Sequence, residues 1–269
     1  MGKIYAVYFS PTGNVKKMVM TATKKWVSLA GETEPVETID YCAPDKRGKV
    51  YRLDKEDLLI IGFPTYAGRL PNKLLADLKE GFVGNNTPAI CLVSFGNRSQ
   101  DEALRELVLL CEARGFICIG AMACVGEHAF SDKLAPGRPD GEDLDEIRGY
   151  TGRVYETKRP VALDRNSPIG PYYTPLKEDL SPARFLKAKP KTREELCSHC
   201  GRCVSVCPLA SIQADCVSVE GVCIKCQACI KVCEKKAKYF DDPDFLSHVA
   251  MLEKNHTDRK ENAFYKFIK

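Results

Sequence analysis

The strongest constraint in this chain is a cysteine pattern that occurs twice. The first copy is Cys197-Ser-His-Cys200-Gly-Arg-Cys203-Val-Ser-Val-Cys207-Pro208. The second is Cys223-Ile-Lys-Cys226-Gln-Ala-Cys229-Ile-Lys-Val-Cys233-Glu234. Both read C-x2-C-x2-C-x3-C. Nine of the fourteen cysteines crowd into residues 197–233, and the other five (Cys42, Cys91, Cys111, Cys118, Cys124) are scattered upstream. A disulfide scaffold is typically short and secreted, without a long α/β half. The N-terminus begins with apolar residues but is soon broken by Ser10 and Pro11, so it reads as a first strand and not as a signal peptide. A reducing cytoplasm is therefore the expectation, where crowded thiols are metal ligands.

The spacing also selects the metal centre. Structural zinc takes its ligands in pairs from separate knuckles, not three thiols at two-residue gaps plus a fourth. The repeated run is the spacing of a pair of [4Fe–4S] clusters, in which the fourth cysteine of each run ligates the other cube. One set is then Cys197, Cys200, Cys203 and Cys233, and the other Cys223, Cys226, Cys229 and Cys207. Cys216 lies outside the pattern and reads as a packed apolar residue. His199 reads as a solvent-facing spacer. Glu234 stands where the first run has Pro208, which predicts a local difference in backbone.

The first 160 residues are of another kind. Apolar runs at Ile4–Phe9, Val36–Ile39, Leu58–Phe63, Ala89–Phe95 and Phe116–Cys124 predict parallel strands covered on both faces. Helical spacing separates them: Val15, Met18, Val19, Ala22 and Trp26; then Leu104, Leu107, Val108 and Cys111, opened by the capping box Ser99-x-x-Glu102 and stopped at Gly115. A last helix begins near Asp140. The fold expected is an α/β, doubly wound, five-stranded parallel sheet over residues 1–160, with a small C-terminal α+β module at 188–240. Residues 161–187, with Pro168, Pro171, Pro175 and Pro182, read as a linker. Residues 241–269 read as a polar helix with an aromatic end that either docks on the first domain or frays.

The end of the first strand, Ser10-Pro11-Thr12-Gly13-Asn14-Val15, runs straight into a helix, whose N-terminus offers free N–H groups and a partial positive charge. It is neither a Walker A loop nor a G-x-G-x-x-G turn. In a doubly wound sheet the loops after strands three and four border the same crevice. These are Pro64-Thr65-Tyr66-Ala67-Gly68-Arg69 and Ser94-Phe95-Gly96-Asn97, and both mix aromatic, small and polar residues as a flavin ring requires. Glu127 and His128 follow strand five at the crevice edge and read either as a hydrogen-bonded strand-end pair or as a proton relay.

On these residues, with Gly126-Glu127-His128 and both cysteine runs, the chain resembles flavodoxin domains fused to a two-cluster 4Fe–4S ferredoxin, found in anaerobic bacteria and archaea. The resemblance implies FMN, its phosphate held by Ser10, Thr12, Gly13 and Asn14. Tyr66, Ala67, Gly68, Gly96 and Asn97 would line the isoalloxazine. Val15 replaces a frequent threonine, and Arg69 stands either near the ring edge or on the surface. The implied role is electron transfer between the clusters and FMN, with a low-potential redox protein as partner. The other reading is an FMN-dependent oxidoreductase that uses the clusters as inlet.

Charge gives a hint about that partner. The whole chain is formally +4, too little to imply nucleic-acid binding, and no run of eighteen apolar residues suggests a membrane span. Residues 183–240 hold eleven Lys/Arg against five Asp/Glu. The stretch Arg184, Lys187, Lys189, Lys191, Arg193 has no acid within it and fits a docking surface for an acidic carrier such as a small ferredoxin. The sequence leaves the oligomeric state open, a homodimer included. The crossed ligand sets make a direct prediction: Cys233→Ser should perturb the same EPR signal as Cys200→Ser. A match with Cys226→Ser instead would show that each run closes its own cluster.

Overall fold

The computed structural model describes residues 2–31 and 35–268. The strands in chain order are β1 (Ile4–Tyr8), β2 (Val36–Asp40), β3 (Tyr51–Arg52), β4 (Leu58–Pro64), β5 (Phe82–Val83), β6 (Thr87–Phe95), β7 (Phe116–Val125), β8 (Lys191–Thr192), β9 (Lys238–Tyr239) and β10 (Ala263–Phe264). The helices are α1 (Asn14–Leu29), α2 (Leu75–Gly81), α3 (Ala103–Glu112), α4 (Gly141–Thr157), α5 (Arg202–Ser205), α6 (Ala228–Lys231) and α7 (Pro243–Asn255).

The main sheet runs β10-β7-β6-β4-β1-β2. Its five long strands are parallel, and their order is that of a flavodoxin-like doubly wound sheet, with β1 at the switch point. Every residue of β4 from Leu58 to Phe63 is buried, as both faces are covered. On one face α1 and α4 pack through Val15, Met18, Val19, Ala22, Trp26, Ile147, Tyr150 and Val154. On the other, α3 packs through Leu104, Leu107, Val108 and Cys111.

The capping box expected at Ser99 and Glu102 does not form. Ser99 Oγ accepts from the Asp101 N–H at 3.0 Å, and Glu102 accepts from Arg105 at 2.7 Å while α3 starts uncapped at Ala103. The box lies one helix later, where Asp140 and Asp143 cap α4 reciprocally.

The sheet has six strands where the sequence showed five. The sixth, β10, comes from the C-terminal tail and lies antiparallel to β7, with Ala263 beside Ala123 and Phe264 beside Met122. Two residues are too few to carry a periodic signal. Tyr150 anchors the tail, its hydroxyl donating to the Tyr265 carbonyl at 2.9 Å while Phe267 stacks on its ring. The proline-bearing stretch at 161–187 is tied down as well. The Val161 N–H donates to Cys118 at 3.0 Å, the Tyr172 hydroxyl to Leu70 at 2.9 Å, and the Tyr173 N–H to Ala67 at 2.8 Å.

The tail's other fixture is buried. Arg138 and Asp143 form a two-pronged ion pair with side chains 5% and 1% exposed. Arg138 also donates to the Lys260 carbonyl at 2.6 Å, and Asn262 donates to Asp143 at 2.9 Å. Burial alone raises the Asp143 carboxyl. Hydrogen bonds from Arg138, the Asp140 N–H and Asn262 outweigh it and hold the group below its ordinary range. Its contribution is thus present above about pH 4 and is lost as pH falls below that. Arg138→Met leaves the carboxylate unpaired and should cost about 3–5 kcal/mol in urea unfolding at pH 7. The deficit should shrink below about pH 4, as Asp143 takes a proton.

Candidate functional site

The C-terminal ends of β1, β4 and β6 open onto a cavity of about 730 Å³. That size suits a cofactor. Its floor is built from the loops singled out in the sequence: Ser10, Thr12, Asn14, Val15, Pro64, Thr65, Tyr66, Ala67, Gly68, Ser94 and Gly96 all line it. Gly13 turns the chain between them in the left-handed region, φ 93°, where a side chain would be strained.

At the start of α1, Ser10 Oγ accepts the Lys16 N–H at 2.9 Å. The N–H groups of Asn14 and Val15 also belong to this first turn, which cannot satisfy them within the helix. The Asn14 side chain points elsewhere and donates to the Glu127 carbonyl at 3.0 Å. Val15 is core, 2% exposed. The Thr65 hydroxyl lines the cavity and is buried without a hydrogen-bond partner. Such an orphan, beside first-turn donors and the Tyr66 ring, fits a ligand with an anionic end and a flat polar-edged body.

Besides Gly13, three expected residues stand outside the lining. Arg69 grips Glu106 with two nitrogens, donates to the Gly170 carbonyl at 2.5 Å and sits over the Tyr172 ring. Its charge is paired with Glu106, and it does not line the cavity. Asn97, 1% exposed, faces the tail, donating to His256 at 2.6 Å and Asp258 at 2.9 Å. Phe95 belongs to the core.

The cavity also has a roof that no sequence signal announced. Tyr172, Tyr173, Pro175, Phe185 and Leu186 come from the proline-bearing stretch, and His248 and Leu252 from α7. The aromatic residues were the only available hint. His128 lines the wall, with its ring edge against Gly96, where any Cβ would collide with it. Its Nδ1 accepts the Phe130 N–H at 3.1 Å, which leaves the ring proton on Nε2. Glu127 pairs with Lys231 of α6 and accepts from the Gly137 N–H at 3.2 Å.

The two cysteine runs have the same backbone. Left-handed residues fall at equivalent places: His199 and Lys225, Gly201 and Gln227, Ala210 and Lys236. Cys207 Sγ accepts the Ser211 N–H and Cys233 Sγ the Ala237 N–H, each at 3.3 Å. The change from Pro208 to Glu234 therefore leaves the local backbone alike, and Glu234 pairs with Arg202. Cys207, Cys223, Cys226 and Cys229 line one small cavity, so Cys207 stands with the thiols of the other run. Among the described residues, no three His, Cys, Asp or Glu side chains close on a single ion. Burial pushes the Cys226 and Cys229 thiols up to about 12, so a bound cation is what would draw off their protons. Of the other cysteines expected to be ligands, Cys200 is exposed. Cys216 is buried among Cys203, Ile212 and Cys229, and exposed His199 has Nδ1 3.0 Å from the Asp215 carbonyl oxygen.

Residues 190–213 match the family described as 4Fe-4S binding domain. A comparison with curated proteins finds no match. Among solved structures, a flavodoxin from the domain Archaea aligns at 18% identity over 58% of this chain and 97% of its own, TM-score 0.39. A flavodoxin of Streptococcus pneumonia TIGR4 aligns at 17% over 58% and 99%, TM-score 0.41. Flavodoxin 2 from Bacillus cereus aligns at 20% over 58% and 99%, TM-score 0.40. The sheet order itself carries the fold of the first domain, a flavodoxin-like α/β sheet, and the 4Fe-4S family match falls in the small C-terminal module. No helix among the described residues is long and apolar enough to cross a membrane.

Burial, with His248, Arg98 and other cations nearby, pulls the His128 imidazole down to about 4. The folded form therefore resists protonation, and any stability tied to neutral His128 is lost as pH falls below about 6.5. The His128 ring resonance in NMR should stay unmoved from pH 8 to pH 5.5. A midpoint near 6.5 would show the ring open to water.

Proposed function

We propose that this chain moves electrons between a low-potential protein partner and a bound FMN through two [4Fe–4S] clusters. One observation carries the reading: Val222, Cys223, Ile224, Lys225 and Cys226 line both the small thiol cavity and the large cavity. A single segment of chain is the wall between them. Centres held on either side would be separated by about one side-chain layer.

The residues present suit each group. The first turn of α1 and Thr65 supply donors for a phosphate and a ring edge, and Tyr66 supplies an apolar face. When bound, FMN takes electrons singly or in pairs, whereas a cluster passes one at a time. The chain's own part is to fix distance and exclude water. The ligand set Cys197, Cys200, Cys203, Cys233 includes an exposed cysteine, while Cys223 and Cys226 face the flavin cavity. That order suits a route from an outer partner to the first cluster, then the second, then the flavin. The basic stretch from Arg184 to Arg193 is the surface we assign to an acidic carrier such as a small ferredoxin.

The roof favours a second reading. A pure carrier needs only an exposed flavin edge, yet Tyr172, Tyr173 and Phe185 line the cavity together with His128 and His248. An oxidoreductase acting on a small substrate would use such a space.

Anaerobically purified protein should contain about eight iron, eight acid-labile sulfides and one FMN per chain. Stoichiometric zinc with little iron contradicts the cluster assignment. Cys226→Ser should slow flavin reduction by a low-potential ferredoxin by an order of magnitude or more. Reduction by light and a sacrificial donor should persist. Equal ferredoxin rates in both proteins would mean that the partner reaches the flavin directly.

A further inference from the structure

The two cysteine runs place different side chains at one equivalent position. Both positions hold a left-handed backbone, His199 at φ 50° and Lys225 at φ 55°. His199 lies on the surface. Lys225 is 8% exposed and lines both the thiol cavity and the large cavity. Its Nζ donates to the Leu186 carbonyl at 2.8 Å and to the Cys223 carbonyl at 3.1 Å.

No carboxylate among the described residues lies within 4.0 Å of this ammonium, and Asp242 acts on it only from farther off. The other charged groups that line the large cavity are differently placed. Arg98 pairs with Asp101, Glu127 pairs with Lys231, and Lys73 is exposed. Two carbonyl oxygens satisfy two of the three donors of Lys225 but bring only partial charge. A buried cation left in that state is costly unless an anion completes it. Two anionic groups are implied on either side of it: a thiolate-bound cluster and a reduced flavin.

We propose that Lys225 is the charge-compensating residue shared by the second cluster and the flavin. The inference rests on the two-cluster and FMN reading above. Its ammonium stabilises an added electron on either group and so raises both potentials. The first cluster has exposed His199 at the matching place, and the buried Lys238 acts on Cys203 and Cys229 of both ligand sets, so Lys225 is a charge that tells the two apart. An electron entering at the first cluster is then drawn toward the second cluster and the flavin.

Lys225 also ties down the roof through Leu186, so a merely structural role must be told apart. The sign of the change does so. A loosened roof admits water to the cluster, favours the more highly charged reduced form and raises its potential. Loss of the ammonium lowers it.

The test uses the full chain, purified without oxygen, as wild type, Lys225→Met and Lys225→Arg. Iron, sulfide and FMN are counted first, and a wild type without two clusters or without FMN overturns the underlying reading. Potentials then come from a redox titration followed by EPR for the clusters and absorbance for the flavin. The expected result is a negative shift of the second cluster and the flavin in Lys225→Met, an unmoved first cluster, and recovery in Lys225→Arg. Fully loaded Lys225→Met with unmoved or raised potentials overturns the proposal. Should Lys225→Met fail to load, Lys225→Gln keeps a donor without the charge and is read by the same shift. Loss of the second cluster in all three variants alike would make Lys225 a structural pin and also overturn it.

Discussion

The working end of the molecule depends on one piece of packing: the segment Val222–Cys226 held across the crevice at the ends of β1, β4 and β6. Ile224 packs against the core of the first domain, while Val222 is 48% exposed, so hydrophobic burial holds only part of it. Polar ties cross the junction as well. Lys231 of α6 pairs with Glu127 beyond β7, Arg47 donates to the Pro208 carbonyl, and Lys225 donates to Leu186 of the roof. The partly exposed Lys231–Glu127 pair is worth about 0–1 kcal/mol on its own. The effect of these ties is to fix which face of the iron–sulfur module meets the cavity.

The rest of the chain reinforces that placement. The segment that leaves α4 crosses beneath the module and supplies the aromatic roof, then the chain forms the module, and α7 with the tail returns to the first domain. Asn97 and Asn262 hold the tail by backbone hydrogen bonds, the latter accepting from Val125 at 2.8 Å, while Arg138 and Asp143 sit at the centre of the same network. The two halves of the molecule are therefore not beads on a string. The sheet of the first is completed by the end of the chain that lies beyond the second.

Much of this could be read from residues alone, for physical reasons. Buried parallel strands must be apolar on both faces, so Leu58–Phe63 and Ala89–Phe95 announce themselves. A repeated thiol spacing has few structural uses, and its repetition reaches down to matching left-handed residues. Other features have no local signature. β10 is too short for periodicity, and the Arg138–Asp143 pair, though close in sequence, gives no sign that it will hold residues 260 and 262. Asn97 and Arg69 sit in loops whose composition suits a flavin, yet tertiary partners, the tail and Glu106, claim their side chains. Lys225 looks like any lysine spacer until the roof closes over it.

The central claim is that one wall separates the second cluster from the flavin, and spin relaxation tests it most directly. Protein partly reduced and frozen while the flavin carries one electron and the second cluster is paramagnetic should be examined by EPR power saturation. A paramagnetic cluster one side-chain layer away predicts a flavin radical that relaxes fast and resists saturation, and Cys226→Ser should restore slow relaxation. A radical that saturates as readily in the wild type as in Cys226→Ser would contradict the account.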